Sequence, residues 1–120
     1  MLKKNLLLFA VIAHIPAIAG EADVLNVEMS CSDNFECDFD VTVQHADEGW
    51  EHYANKWEVA SPDGTILATR VLAHPHVNEQ PFTRAMRKVE IPINLSEVTV
   101  RAHDSVHGYG GEEITVKLPL

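Results

Sequence analysis

Residues 74–76 read His-Pro-His. Imidazole is a ligand for zinc, copper, nickel and iron, and two side chains separated by one residue project to the same side of an extended backbone. Pro75 fixes its own φ, so less ordering is needed before both rings face one ion. His74 and His76 are therefore the leading candidate ligand pair, although a site needs three or four donors converging at about 2.0 to 2.2 Å. Further imidazoles come from His45, His52, His103 and His107. Asp47, Glu79, Arg84 and Asp104 are the charged groups that stand near them in the chain. The carboxylates can fix a histidine tautomer from behind, or simply cap turns. Arg84, with Gln80, could clamp a carboxylate or phosphate; its plainer role is to tie loops together through Glu79 or Asp104. No serine sits in a nucleophile-elbow setting and no phosphate loop is present, so catalysis by this chain would have to be metal-dependent.

Cys31 and Cys37 are the only cysteines and enclose Ser32, Asp33 and Asn34, residues that favour turns. The chain opens with Lys3 and Lys4, an apolar run from Leu6 to Ile12, and small residues ending Ala17-Ile18-Ala19. That pattern predicts a signal peptide over 1–19, a mature domain over 20–120 and a periplasmic or secreted location. In such a compartment the two cysteines are expected as a structural disulfide across a hairpin. Cleavage would remove two basic residues and no acidic ones, taking the net charge from −9 to −11. Such a surface argues against nucleic acid and anionic headgroups and suits cations or basic partners. No later segment is apolar enough to insert in a membrane after cleavage.

The elements that must position these residues read as strands. Seven short alternating segments, at 24–30, 39–45, 56–61, 65–73, 82–91, 97–104 and 113–119, are separated by turn chemistry such as Pro62-Asp63-Gly64. The predicted fold is all-β, an immunoglobulin- or fibronectin-like antiparallel β-sandwich of about seven strands. Alternation puts Trp57 and Val59 in the core with Lys56 and Glu58 outward, and leaves Trp50 in a loop. His45 continues the inward phase of Phe39, Val41 and Val43, whereas His103 has the opposite phase to Val98, Val100 and Ala102. If each strand runs the length of the sandwich, the second, fourth and sixth connections share one end. Those three connections, with the strand ends leading into them, hold all six histidines of the predicted mature chain.

The segments HADEGWEHYANKWEV, LAHPHVNEQPFTR and RAHDSVHGYGG resemble those of a group of small secreted bacterial proteins, and the likeness covers most of the mature chain. The resemblance implies a small secreted domain and no particular activity. The iron centre of superoxide reductases needs a cysteine thiolate beside its histidines, and periplasmic copper carriers have an N-terminal histidine segment; neither is present. Two readings follow for the loop cluster. It holds a copper or zinc ion, for carriage, sensing or sequestration, or it forms a polar and aromatic surface for a protein partner with Trp50, Tyr53 and Tyr109 at its rim. A metal-dependent enzyme is a third.

Overall fold

A computed structural model describes residues 20–119; the predicted leader over 1–19 lies outside the described residues. Seven strands form in chain order: β1 (Asp23–Cys31), β2 (Glu36–Gln44), β3 (Ala54–Ala60), β4 (Ile66–Val71), β5 (Phe82–Glu90), β6 (Glu97–Asp104) and β7 (Ile114–Lys117). They pair antiparallel in two sheets, ordered β1-β2-β5 and β4-β3-β6-β7. Alternation creates this division: Phe39, Val41 and Val43 of β2 meet Trp57 and Val59 of β3 and Val98 and Val100 of β6 in one core, and all seven are fully buried. The fourth strand lies beside β3. In the constant-type immunoglobulin arrangement it would join the sheet of the first, second and fifth strands.

The Cys31–Cys37 disulfide forms, closing the β1–β2 hairpin where those two residues are register partners. The turn of the β3–β4 hairpin places Gly64 at φ 91, a conformation glycine adopts without steric cost. Trp57 is buried and Trp50 exposed, as alternation predicts. Glu58 takes the outward side that alternation assigns it, but it is not solvated. It points away from Trp57's side of the sheet, yet it is buried beneath Arg101, whose Nε donates to Oε1 at 3.1 Å, and Tyr109, whose hydroxyl donates to Oε2 at 2.6 Å. A long side chain on the neighbouring strand and an aromatic from the β6–β7 loop cover it, which alternation along β3 alone cannot show.

Antiparallel pairing fixes the two ends. Asp23 of β1 stands opposite Gln44 of β2, and Ala54 of β3 opposite Asp104 of β6. The start of β1, the β2–β3 loop, the β4–β5 loop and the β6–β7 loop therefore meet at one end. The opposite end carries the disulfide.

Candidate metal centre

His45 follows the last residue of β2 and keeps the inward phase of that strand, so its ring enters the end of the core and is fully buried. Its Nδ1 lies 2.6 Å from Asp47 Oδ1. Its Nε2 lies 2.8 Å from the Gly20 carbonyl oxygen and 3.3 Å from His52 Nε2. His52 closes the β2–β3 loop, where its backbone amide bonds to Gly49 and its carbonyl accepts from Glu48. Its Nε2 is 3.0 Å from Asp104 Oδ2, and its Nδ1 is 2.9 Å from Glu48 Oε1. Asp104 ends β6 and caps the turn that follows it: Oδ2 accepts from the amides of Val106 and His107.

The atoms His45 Nε2, His52 Nε2 and Asp104 Oδ2 are thus separated by 3.3, 3.0 and 3.9 Å. A triangle with these sides has a circumcentre about 2.0 Å from every corner, the bond length of imidazole nitrogen or carboxylate oxygen to a divalent transition metal. Both histidines hold their remaining nitrogen against a carboxylate, Asp47 for His45 and Glu48 for His52, as metal-bound histidines commonly do. Asp104 is wholly buried, and its Oδ1 has no hydrogen-bond partner among the described residues. The orphan oxygen is not the triangle's corner: Oδ2 is, and an ion there would satisfy Oδ1 only by binding both oxygens of the carboxylate.

The electrostatics agree. Burial raises the Asp104 carboxyl, but the amides of His107 and Val106 and the His107 ring outweigh it and hold the group below the usual carboxylate range. Asp47 is likewise held low against burial, by the His45 ring and the amides of His76 and Ala54. For His45, burial opposes the charge, but Asp47 and the Gly20 carbonyl outweigh it and raise the imidazole. Acceptors at both nitrogens, Asp47 Oδ1 and the Gly20 carbonyl, favour the charged form of the ring. In that form the ring offsets part of the charge on Asp47 and Asp104, and a metal ion at Nε2 would take the place of its proton.

The remaining candidates fall around this triangle. His107 stands at its edge, Nδ1 3.1 Å from Asp104 Oδ2 and its ring 5.0 Å from that of His52. His103 lies on the outer face, as its phase predicts; its Nδ1 is 2.7 Å from Asn55 Oδ1, and its ring packs edge-on against Tyr109. Tyr109 is therefore part of the cover over Glu58 and not of the loop rim. His74 and His76 do present their rings together, with centroids 4.7 Å apart, but they do not reach the triangle. His76 stacks on Phe82, and its Nε2 accepts from Arg84 Nη2 at 3.0 Å. Burial and the neighbouring Arg84 cation hold its imidazole below the usual value, so it is neutral. Its lone pair is spent on a guanidinium that also reaches Glu79 Oε1, one of the ties the sequence offers for Arg84.

The HPH loop acts here as a brace: the His76 amide donates to Asp47 Oδ2, and Gln80 links the His45 amide to the His76 carbonyl. Asp104, expected behind the ligands or as a turn cap, does cap a turn and is also one corner of the triangle. Gly20 reaches this cluster by the same strand parity that gathers the loops, which also brings the start of β1 to their end.

No family model and no solved structure matches the chain. It is 38% identical over 96 residues to a protein of Halomicrobium mukohataei whose name marks it as a candidate lipoprotein. The aligned part covers 80% of this chain and 47% of that protein, so the chain spans about half the length of its relative. No characterised family is matched.

Proposed function

We propose that the protein is an extracytoplasmic metal-binding β-sandwich that holds a copper or zinc ion through His45, His52 and Asp104, for carriage, sensing or sequestration. The observation that carries this reading is the triangle itself: two imidazole nitrogens and a carboxylate oxygen placed about 2.0 Å from a common point, on side chains already oriented by carboxylates and backbone amides. The disulfide, the leader-like N-terminus and the lipoprotein name of the relative support a location outside the cytoplasm.

The test is thermal denaturation of tag-free protein with added Cu(II) or Zn(II). A ligand that binds only the folded state stabilises it by RT ln(1 + [L]/Kd), about 2.7 kcal/mol at a hundredfold excess over Kd. The wild type and the His74→Ala/His76→Ala variant should both show the rise in Tm; His45→Ala and His52→Ala should not. No rise in the wild type refutes the proposal, and loss of the rise in the His74→Ala/His76→Ala variant moves the site to the HPH loop.

One observation favours a second reading, recognition of a protein partner. Trp50, Val77 and Val106 are 65%, 55% and 57% exposed, one in each of the three loops at this end. A braced loop platform with an apolar rim suits binding with or without a metal beneath it. Co-purification of a partner that is lost on Trp50→Ser substitution supports this reading.

A further inference from the structure

We infer that removal of the leader after Ala19 completes this metal centre, because the freed Gly20 then offers its α-amino nitrogen and carbonyl oxygen as a chelating pair to the ion held by His45, His52 and Asp104. The inference rests on the metal-binding reading above. It starts from a contact just outside the three-residue site: the Gly20 carbonyl oxygen, a hydrogen-bond acceptor of the His45 ring in the metal-free protein, lies 2.8 Å from His45 Nε2, the nitrogen that would face the ion. That separation equals the distance between two ligands set at right angles, each about 2.0 Å from a common ion.

The carbonyl is held there by construction. Val24 N donates to the Glu112 carbonyl at 2.9 Å, and Glu112 N donates to Asp23 Oδ1 at 2.7 Å. Gly111 lets the segment approach so closely that a Cβ at that position would overlap the Ala22 carbonyl. Residues 22–24 are thus laced to the same β6–β7 loop whose opening turn is capped by Asp104 and carries His107. Gly20 lies two residues before this anchored segment.

The predicted cleavage site gives this placement its chemical meaning. In the uncut chain the Gly20 nitrogen is a peptide nitrogen, with its lone pair delocalised into the Ala19 carbonyl, and is a poor ligand. Hydrolysis by a leader peptidase adds one water across the Ala19–Gly20 bond, leaving a carboxylate on Ala19 and an amine on Gly20. That amine and the carbonyl oxygen of the same residue close a five-membered ring on a metal. With two imidazoles and the Asp104 carboxylate they give a mixed nitrogen and oxygen set of the kind Cu(II) prefers. Export and metal loading would then be coupled, since the precursor lacks one of its donors.

The experiment compares three forms of the mature domain: one beginning at an authentic Gly20, the same protein Nα-acetylated, and one retaining Ala17, Ile18 and Ala19. Each is titrated with Cu(II) against a competing chelator, and the bound copper is examined by electron paramagnetic resonance. The Tm of each metal-free form shows that its fold is intact. Losing a hydrogen-bond partner behind a ligand costs roughly 10- to 100-fold in metal affinity, and losing a ligand costs no less. The acetylated and extended forms should therefore bind at least about tenfold more weakly than the authentic form and show one fewer nitrogen coupled to copper. Equal affinity and identical spectra in all three overturn the inference while leaving the three-residue centre standing. Binding by none of them overturns both readings.

Discussion

Asp104 is buried with one oxygen crowded by donors and the other left without any. An amide in its place would keep the shape but lose the charge that a cation needs, and in one of its two orientations it would turn its NH2 toward the amides of Val106 and His107. Asp104→Asn should therefore remove the metal-induced rise in Tm and lower metal-free stability by about 1 to 3 kcal/mol, read from urea denaturation. Tyr109 offers a check on the polar cluster over Glu58. Burial, and the Glu58 carboxylate that accepts its hydroxyl proton, push the phenol up from 10.0 to about 12. Below 10.0 the folded and unfolded chains both hold this proton; between 10.0 and about 12 the unfolded chain releases it first, so stability falls across that window as pH rises. Ultraviolet titration of Tyr53→Phe, which leaves Tyr109 as the only tyrosine, should give a midpoint well above 10.0, and a midpoint at the ordinary value would contradict the buried bond to Glu58. The sequence makes the inward phase of His45 and the outward phase of His103 legible, because both follow from alternation. It hides that His76 spends its lone pair on Arg84, since that depends on side-chain rotamers across a loop.

Loops that meet at one end of a sandwich can be found by counting strands, and the β2–β3, β4–β5 and β6–β7 connections do meet. What counting cannot supply is the depth at which each side chain lies. His45 reaches the centre because it extends β2 by one residue, whereas His74 stays at the rim. The N-terminal segment belongs to the same end by the same rule, and its close packing depends on Gly111. Gly111→Ala should force the segment off the β6–β7 loop, costing about 1 to 3 kcal/mol of stability, measured by chemical denaturation. It should also weaken metal binding by moving Gly20, whereas Gly64→Ala, in the hairpin turn after β3, should lower stability without changing metal affinity. At the far end, Cys31 and Cys37 close a loop of only six residues' separation. Loop-closure entropy then gives the disulfide about 2 kcal/mol, so Cys31→Ser/Cys37→Ser should fold, melt lower, and keep the metal response.

Across the whole molecule, the predicted mature chain carries a strong excess of negative charge, and the described core is one continuous layer between two sheets, with the buried His45, His52 and His76 and the buried carboxylates of Asp23, Asp47 and Asp104 gathered at one end. That division of labour is economical for a small domain. The disulfide end and the valine-rich core supply rigidity, while the other end buries charged groups that weaken the fold unless something neutralises them. A metal ion would do so; in its absence, against the effect of burial, Asp47 and Asp104 raise the His45 imidazole toward its charged form. The fold class was readable because strand periodicity and turn residues are local signals. The centre was only half readable, because convergence of His45, His52 and Asp104 is a distance between residues far apart in the chain. The most direct measurement is anomalous X-ray diffraction from crystals of the tag-free protein loaded with Zn(II) or Cu(II), recorded at the metal's absorption edge. One strong peak is expected about 2.0 Å from His45 Nε2, His52 Nε2 and an oxygen of Asp104. A peak between His74 and His76, or none at any histidine, would contradict it.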